Sequence, residues 1–166
     1  MRIILAALML AALGCDDDAD GGSEDLAVAD MASGAVAIRT AMLTGGQEAP
    51  AVASTYTGSS TLTVDATRTT ITVVTTQTIP PGNTTMAHIH VGAATVSGPV
   101  IFNLVTVSPV PASFTKSLTA TDLVLQSTAG VNNFDDAVEK ILAGQTYINI
   151  HTMAFPNGEI RGQYVE

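Results

Sequence analysis

The sequence predicts an all-β domain, a Greek-key sandwich or barrel with one short helix. Three observations predict it. Thr, Ser and Val crowd the middle of the chain, as in "STYTGSSTLTVDATRTTITVVTTQT", and β-branched side chains fit a pleated, half-buried surface. Strand-like runs recur at short intervals over 35–43, 57–64, 69–79, 86–91, 99–106, 112–119, 146–152 and 159–165. Turn signals separate them: Gly45-Gly46, Asp65-Ala66, Pro80-Pro81-Gly82-Asn83, Gly98-Pro99, Pro109-Val110-Pro111 and Pro156-Asn157-Gly158. With 46% hydrophobic residues, 4% aromatic and no Trp, the core must be built from Val, Ile, Leu, Ala and Met.

One segment departs from this period. Asn133 is placed to cap a helix, with Asp135 and Asp136 at the positive end of its dipole and Lys140 near the other end. Ala137, Val138, Ile141 and Leu142 form its apolar stripe and Gly144 ends it. This helix is expected to cover one end of the β-structure.

The chain divides unequally before the domain begins. After Met1 and Arg2, residues 3–13 form an apolar run of the length of a signal-peptide core, far short of the roughly 20 residues of a bilayer span. It ends in Ala12-Leu13-Gly14-Cys15, which resembles the bacterial lipobox, with Ala12 where Leu is usual. That resemblance implies a signal peptide over residues 1–14, lipidation of Cys15 and attachment to a membrane through that lipid. An ordinary signal peptide with a chance cysteine is the alternative. The expected location is the cell envelope, on the extracytoplasmic side (periplasmic face or cell surface). Residues 15–34, "CDDDADGGSEDLAVADMASG", read as an acidic, disordered tether, and residues 35–166 as the folded domain.

Charge narrows the partners. The formal net charge is −9, but seven of the 15 acidic residues lie between Asp16 and Asp30. The domain keeps eight acids against Arg39, Arg68, Lys116, Lys140 and Arg161, a net −3. No basic stripe exists, so nucleic acid is not an expected partner, nor are anionic headgroups bound through a polybasic patch. A protein partner stays open. With Cys15 the only cysteine, no disulfide forms within the chain.

Three stretches resemble the CHRD domain: "LTGGQEAPAV" (43–52), "AHIHVGAATVSGPVIFNL" (87–104) and "GQTYINIHTMAFPNGEIRGQ" (144–163). The resemblance covers nearly the whole domain. It implies an immunoglobulin-like or related β-sandwich outside the cell, and no substrate.

All three histidines, His88, His90 and His151, fall inside these motifs. On a strand, His88 and His90 share one face while Ala87, Ile89 and Val91 take the other. Tyr147, Asn149 and His151 likewise oppose Ile148 and Ile150, and Glu159, Arg161 and Gln163 oppose Ile160 and Tyr164. The isoleucines should face the core, which leaves the histidines on an outward, polar face. Three neutral imidazoles from two strands suit copper, and zinc less well; Met86 and Met153 continue the parity and would add soft thioethers. Asn149, Glu159 and Arg161 are expected around the ligands. The arrangement is similar to the copper side of Cu/Zn superoxide dismutases, and by that analogy Arg161 would guide an anion. Bridging-histidine, zinc-loop and disulfide features of that family are missing, so the analogy supports a metal site more than it supports catalysis.

Two further readings stay open. Glu159, Asn149 and Gln163 can satisfy the histidines as a purely structural cluster, making the chain a structural or adhesive surface domain. Glu159 and Arg161, two apart on one strand face, can pair with each other. Other chemistries lack their parts: there is no Gly-x-Ser-x-Gly elbow, and "LTGGQE" lacks the glycines and Lys-Ser/Thr of a phosphate loop. A single metal requires nitrogens within about 4 Å of each other, given bonds of about 2.0–2.1 Å.

Overall fold

The computed structural model describes residues 35–166; the expected signal peptide, lipidation site at Cys15 and acidic tether lie outside them. Eight strands form one antiparallel sheet: β1 (Ala35–Thr44), β2 (Thr57–Asp65), β3 (Ile71–Gln77), β4 (Thr84–Val91), β5 (Val100–Val105), β6 (Ser113–Leu118), β7 (Thr146–Thr152) and β8 (Ile160–Gln163). Their order is β5-β4-β7-β8-β1-β2-β3-β6. The sheet curls into a nearly closed barrel, a single continuous sheet rather than two stacked ones. One short helix, α1 (Phe134–Leu142), precedes β7.

Alternation along the strands explains which way the barrel turns. In β2 the buried positions are Gly58, Ser60, Leu62 and Val64, and in β3 they are Ile71, Val73, Thr75 and Gln77. Their partners on the other face, such as Thr61 opposite Val74, look outward. Within the barrel the polar side chains are paired: Tyr164 Oη and Thr75 Oγ1 both meet Ser60 Oγ, at 2.8 and 2.9 Å. A buried hydroxyl without a partner would cost about 1–3 kcal/mol. Burial pushes the Tyr164 phenol well above its ordinary range, so it stays protonated.

Helix α1 starts where expected. The Asn133 side chain accepts from the Asp136 amide, and Gly144 adopts φ +66° just beyond the end. Phe134, Ala137, Val138 and Ile141 are buried in the main core, with Phe102 and Phe134 edge to face at 6.0 Å. Phe134, Val138 and Ile141 each contribute roughly 1.5–3 kcal/mol by burial. β3 begins later than its sequence pattern because Asp65 accepts from the Thr69 and Thr70 amides and holds the turn. β8 ends earlier, although Val165 still exchanges two hydrogen bonds with Thr40.

β4, β7 and β8 differ from the rest of the barrel. All seven residues of β7 are buried, as are Ala87–Val91 of β4. Ile89, Ile148, Ile150 and Ile160 face the core, so the other face of these strands is covered as well. Its cover is three loops, 45–56, 92–98 and 153–158. They are pinned down by hydrogen bonds from Ser54 to Glu159, from the Gln163 amide to Gln47, and from Ser97 to the Ala49 carbonyl.

Candidate metal centre

Register brings the functional residues into rows. Met86 lies across from His151, His88 from Asn149, and His90 from Tyr147. On the next strand Asn149 faces Arg161 and Tyr147 faces Gln163. His88, Asn149 and Arg161 therefore form one line across β4, β7 and β8.

The three histidines are on the side expected, opposite the isoleucines, but they are not exposed. His88, His90 and His151 are 7–8% accessible, because the loops that decide their burial have no periodicity to read. One nitrogen of each ring lies within 4.8 Å of the others. His88 Nδ1 and His151 Nε2 are already 3.1 Å apart, close to the spacing of two nitrogens on one tetrahedral ion. The 4.8 Å bound on all three lies less than an ångström above the ~4 Å spacing that a single ion sets. The cluster can hold a metal ion.

Hydrogen bonding prepares the rings for that task. His90 Nδ1 lies 2.8 Å from the Gly98 carbonyl and His151 Nδ1 lies 2.9 Å from the Pro156 carbonyl. A carbonyl only accepts, so both Nδ1 atoms carry the proton and both Nε2 atoms present lone pairs. His88 Nδ1–H then donates to His151 Nε2. A tautomeric shift of His88 would free a third lone pair without changing the ring's charge. Burial first, then the charges of His151 and His90, pushes His88 down to about 4. Burial also lowers His90 and His151. All three are neutral at pH 7, the state that metal binding requires. His90 Nε2 and the Asn149 Oδ1 are buried without a hydrogen-bond partner. Unpaired buried acceptors are costly, and a cation at this place would satisfy them.

The surrounding residues correct several expectations. Glu159 does not reach the histidines; it accepts from Ser54 (2.9 Å) and Thr152 (2.7 Å). Gln163 donates to the Gly92 and Gly144 carbonyls. Two backbone carbonyls, and not Glu159, Asn149 or Gln163, hold the Nδ1 atoms of His90 and His151. Glu159 and Arg161 do not pair. Arg161 is 2% exposed, its guanidinium carbon 3.3 Å from the Tyr147 ring centroid and its Nη2 2.9 Å from the Ala93 carbonyl. A side chain tied down in this way is not a solvent-facing guide. Met86 is 37% exposed beside His151, and Met153, 71% exposed, has run past the end of β7.

Sequence reasoning missed Tyr147, Glu48 and the 92–98 loop. Tyr147 stacks on His90 at 4.8 Å and 7°, and its hydroxyl accepts from the Gly98 amide at 3.0 Å. Its shared parity with Asn149 and His151 was the available signal. Glu48 comes from the "LTGGQE" segment, where Gly45–Gln47 forms a 3-10 turn. A Cβ on Gly158 would stand 2.5 Å from Glu48 Oε1 and 2.8 Å from Asn149 Nδ2, so the Glu48 carboxyl is packed next to the His88–Asn149–Arg161 row. Burial pushes it up to about 7, against the opposing pull of Arg161.

The family model of the CHRD domain matches residues 39–164, so the chain belongs to the CHRD family. All three histidines and every residue described around them lie within the matched stretch. No curated protein matches the chain, and no solved structure matches it either.

Proposed function

We propose that this protein is an extracytoplasmic CHRD-type binding module that holds one copper ion on His88, His90 and His151. One observation carries the reading: three neutral imidazoles converge on the same buried spot, with the tautomers of His90 and His151 fixed by backbone carbonyls and the His90 Nε2 left without a partner. An all-imidazole set favours copper over the hard cations, with zinc second. Met86, across from His151, is the thioether better placed to approach Cu(I). Lipid attachment at Cys15 would hold the module at the cell envelope, and the acidic tether would set its distance from the membrane.

The alternatives draw less support. A dismutase-like enzyme would want an arginine open to incoming anions, and Arg161 is buried. A purely structural cluster gives no role to His90 Nε2, which is buried and aimed at the same spot as the other two rings.

Calorimetric titration with Cu(II) tests the proposal. One equivalent should bind, and His88→Ala with His90→Ala should abolish uptake. At copper 100-fold above its Kd, linkage stabilises the fold by about 2.7 kcal/mol. Unfolding entropy for the 132 described residues is about 0.28 kcal/mol/K, so Tm should rise by roughly 10 °C. Equal uptake by the double variant would overturn the assignment.

A further inference from the structure

The strands that carry the histidines also carry a permanent positive charge. Arg161 is the largest fully buried side chain, and a guanidinium keeps its proton at every pH at which proteins stay folded. Among the described residues the only salt bridges are Arg39–Glu166 and Arg68–Glu139, so no carboxylate lies within 4 Å of it. Two acids of the same wall do not supply the counter-charge. Glu159 accepts from Ser54 and Thr152. The Glu48 carboxyl is pushed up to about 7 by burial, against the opposing pull of Arg161, and is protonated at pH 6.

This charge is stacked behind the candidate metal centre. Tyr147 belongs to β7, which stands between β4 and β8. The His90 imidazole lies parallel to its ring at 4.8 Å, and the Arg161 guanidinium carbon lies 3.3 Å from the centre of that ring. The cation is therefore at most roughly 8 Å from the imidazole centre, close enough for a strong field in a protein interior. His90 registers it: burial lowers its proton affinity most, and the Arg161 charge pushes the same way. A metal ion on that ring meets the same field. The cluster itself contains three histidines and no carboxylate or thiolate, so no ligand brings a negative charge. Cu(I) on three neutral imidazoles carries one positive charge and Cu(II) carries two, and Arg161 opposes the second more than the first.

We propose that Arg161 biases this centre towards the ion of lower charge, so that the three imidazoles hold Cu(I) more tightly than Cu(II). The inference rests on the copper reading of His88, His90 and His151. One unit charge at about 9 Å, with an effective dielectric near 20, changes a binding equilibrium by about tenfold or more. For a one-electron couple a tenfold change corresponds to about 59 mV.

The test is a pair of competition titrations of the purified protein at pH 6, Cu(I) under ascorbate against bicinchoninate and Cu(II) against nitrilotriacetate. The parent should bind Cu(I) the more tightly, and tighter Cu(II) overturns the preference. Arg161→Gln should lower the ratio of Cu(I) to Cu(II) affinity by about tenfold, read independently as a fall of about 59 mV in the copper potential. Arg161→Lys keeps the charge and should keep most of the ratio. An arginine that only props up the fold would weaken both ions alike, so a ratio unmoved in Arg161→Gln overturns its role. Should that variant not fold, Ala93→Asp decides. Position 93 is exposed and its carbonyl accepts from Arg161 Nη2 at 2.9 Å, so a carboxylate there supplies the missing counter-charge. It should lower the ratio by about twofold or more, and an unchanged ratio overturns the inference. Copper bound by the parent in neither oxidation state overturns the copper reading itself, whereas copper bound in both with an unmoved ratio overturns only the part given to Arg161.

Discussion

Gly98→Ala is the substitution that most directly asks whether the loops build the site. A Cβ at position 98 would lie 1.7 Å from the Val91 carbonyl oxygen and 2.8 Å from the Val91 carbonyl carbon. Both are backbone atoms of a buried strand and cannot yield, so the 92–98 loop must lift. Three contacts go with it: the Gly98 carbonyl on His90 Nδ1, the Gly98 amide on the Tyr147 hydroxyl, and the Tyr147 hydroxyl on the Gly98 carbonyl. At a net 0.5–1.5 kcal/mol for each hydrogen bond, the loss is about 1.5–4.5 kcal/mol. With an unfolding entropy of about 0.28 kcal/mol/K, Tm falls by roughly 5–16 °C. Thermal melts of the metal-free protein measure this. A second readout follows from the tautomer: once freed from the Gly98 carbonyl, His90 no longer has its Nε2 lone pair fixed, so copper affinity should drop by at least tenfold, the usual loss for an outer-shell partner. A variant that melts within 1 °C of the parent and binds copper equally would refute the claim that this loop positions His90.

Asn133→Ala removes the side chain that accepts from the Asp136 amide; loss of such a cap costs about 1 kcal/mol, or roughly 4 °C in Tm, and an unchanged melt would remove the cap's role. Tyr164→Phe takes the phenol from the buried Ser60–Thr75 pair and should cost about 1–2 kcal/mol, read as a lower urea midpoint at constant m; no shift would mean the hydroxyl is not engaged. Acid should destabilise the metal-free protein. His88 at about 4 and the lowered His90 and His151 leave the unfolded chain binding more protons between pH 6.5 and 4, so stability is lost as pH falls through that window. Glu48 acts in the opposite sense. Raised to about 7, it contributes stability below its unfolded value of 4.5 and loses it as pH rises towards 7. Glu48→Gln removes only this second slope, so its Tm should fall more steeply between pH 6.5 and 4.5; parallel curves would show that Glu48 does not retain its proton.

The sequence by itself determined the elements and the side on which the ligands stand. Alternation is a local rule: once Ile89, Ile148, Ile150 and Ile160 must face the core, His88, His90, Asn149, His151 and Arg161 must face away. The helix cap at Asn133 and the stop at Gly144 are equally local. What only the tertiary structure decided is what covers that face. Loops 45–56, 92–98 and 153–158 have no period, and their seating depends on contacts between residues far apart in the chain, such as Ser54 with Glu159 and Arg161 with Ala93. Those contacts turn a polar face into a buried one. They set the imidazoles neutral, send Glu159 to Ser54 and Thr152, bring Glu48 onto Gly158, and leave Arg161 without a counter-charge. Desolvation is a property of the whole assembly around an atom, and no spacing along a strand encodes it.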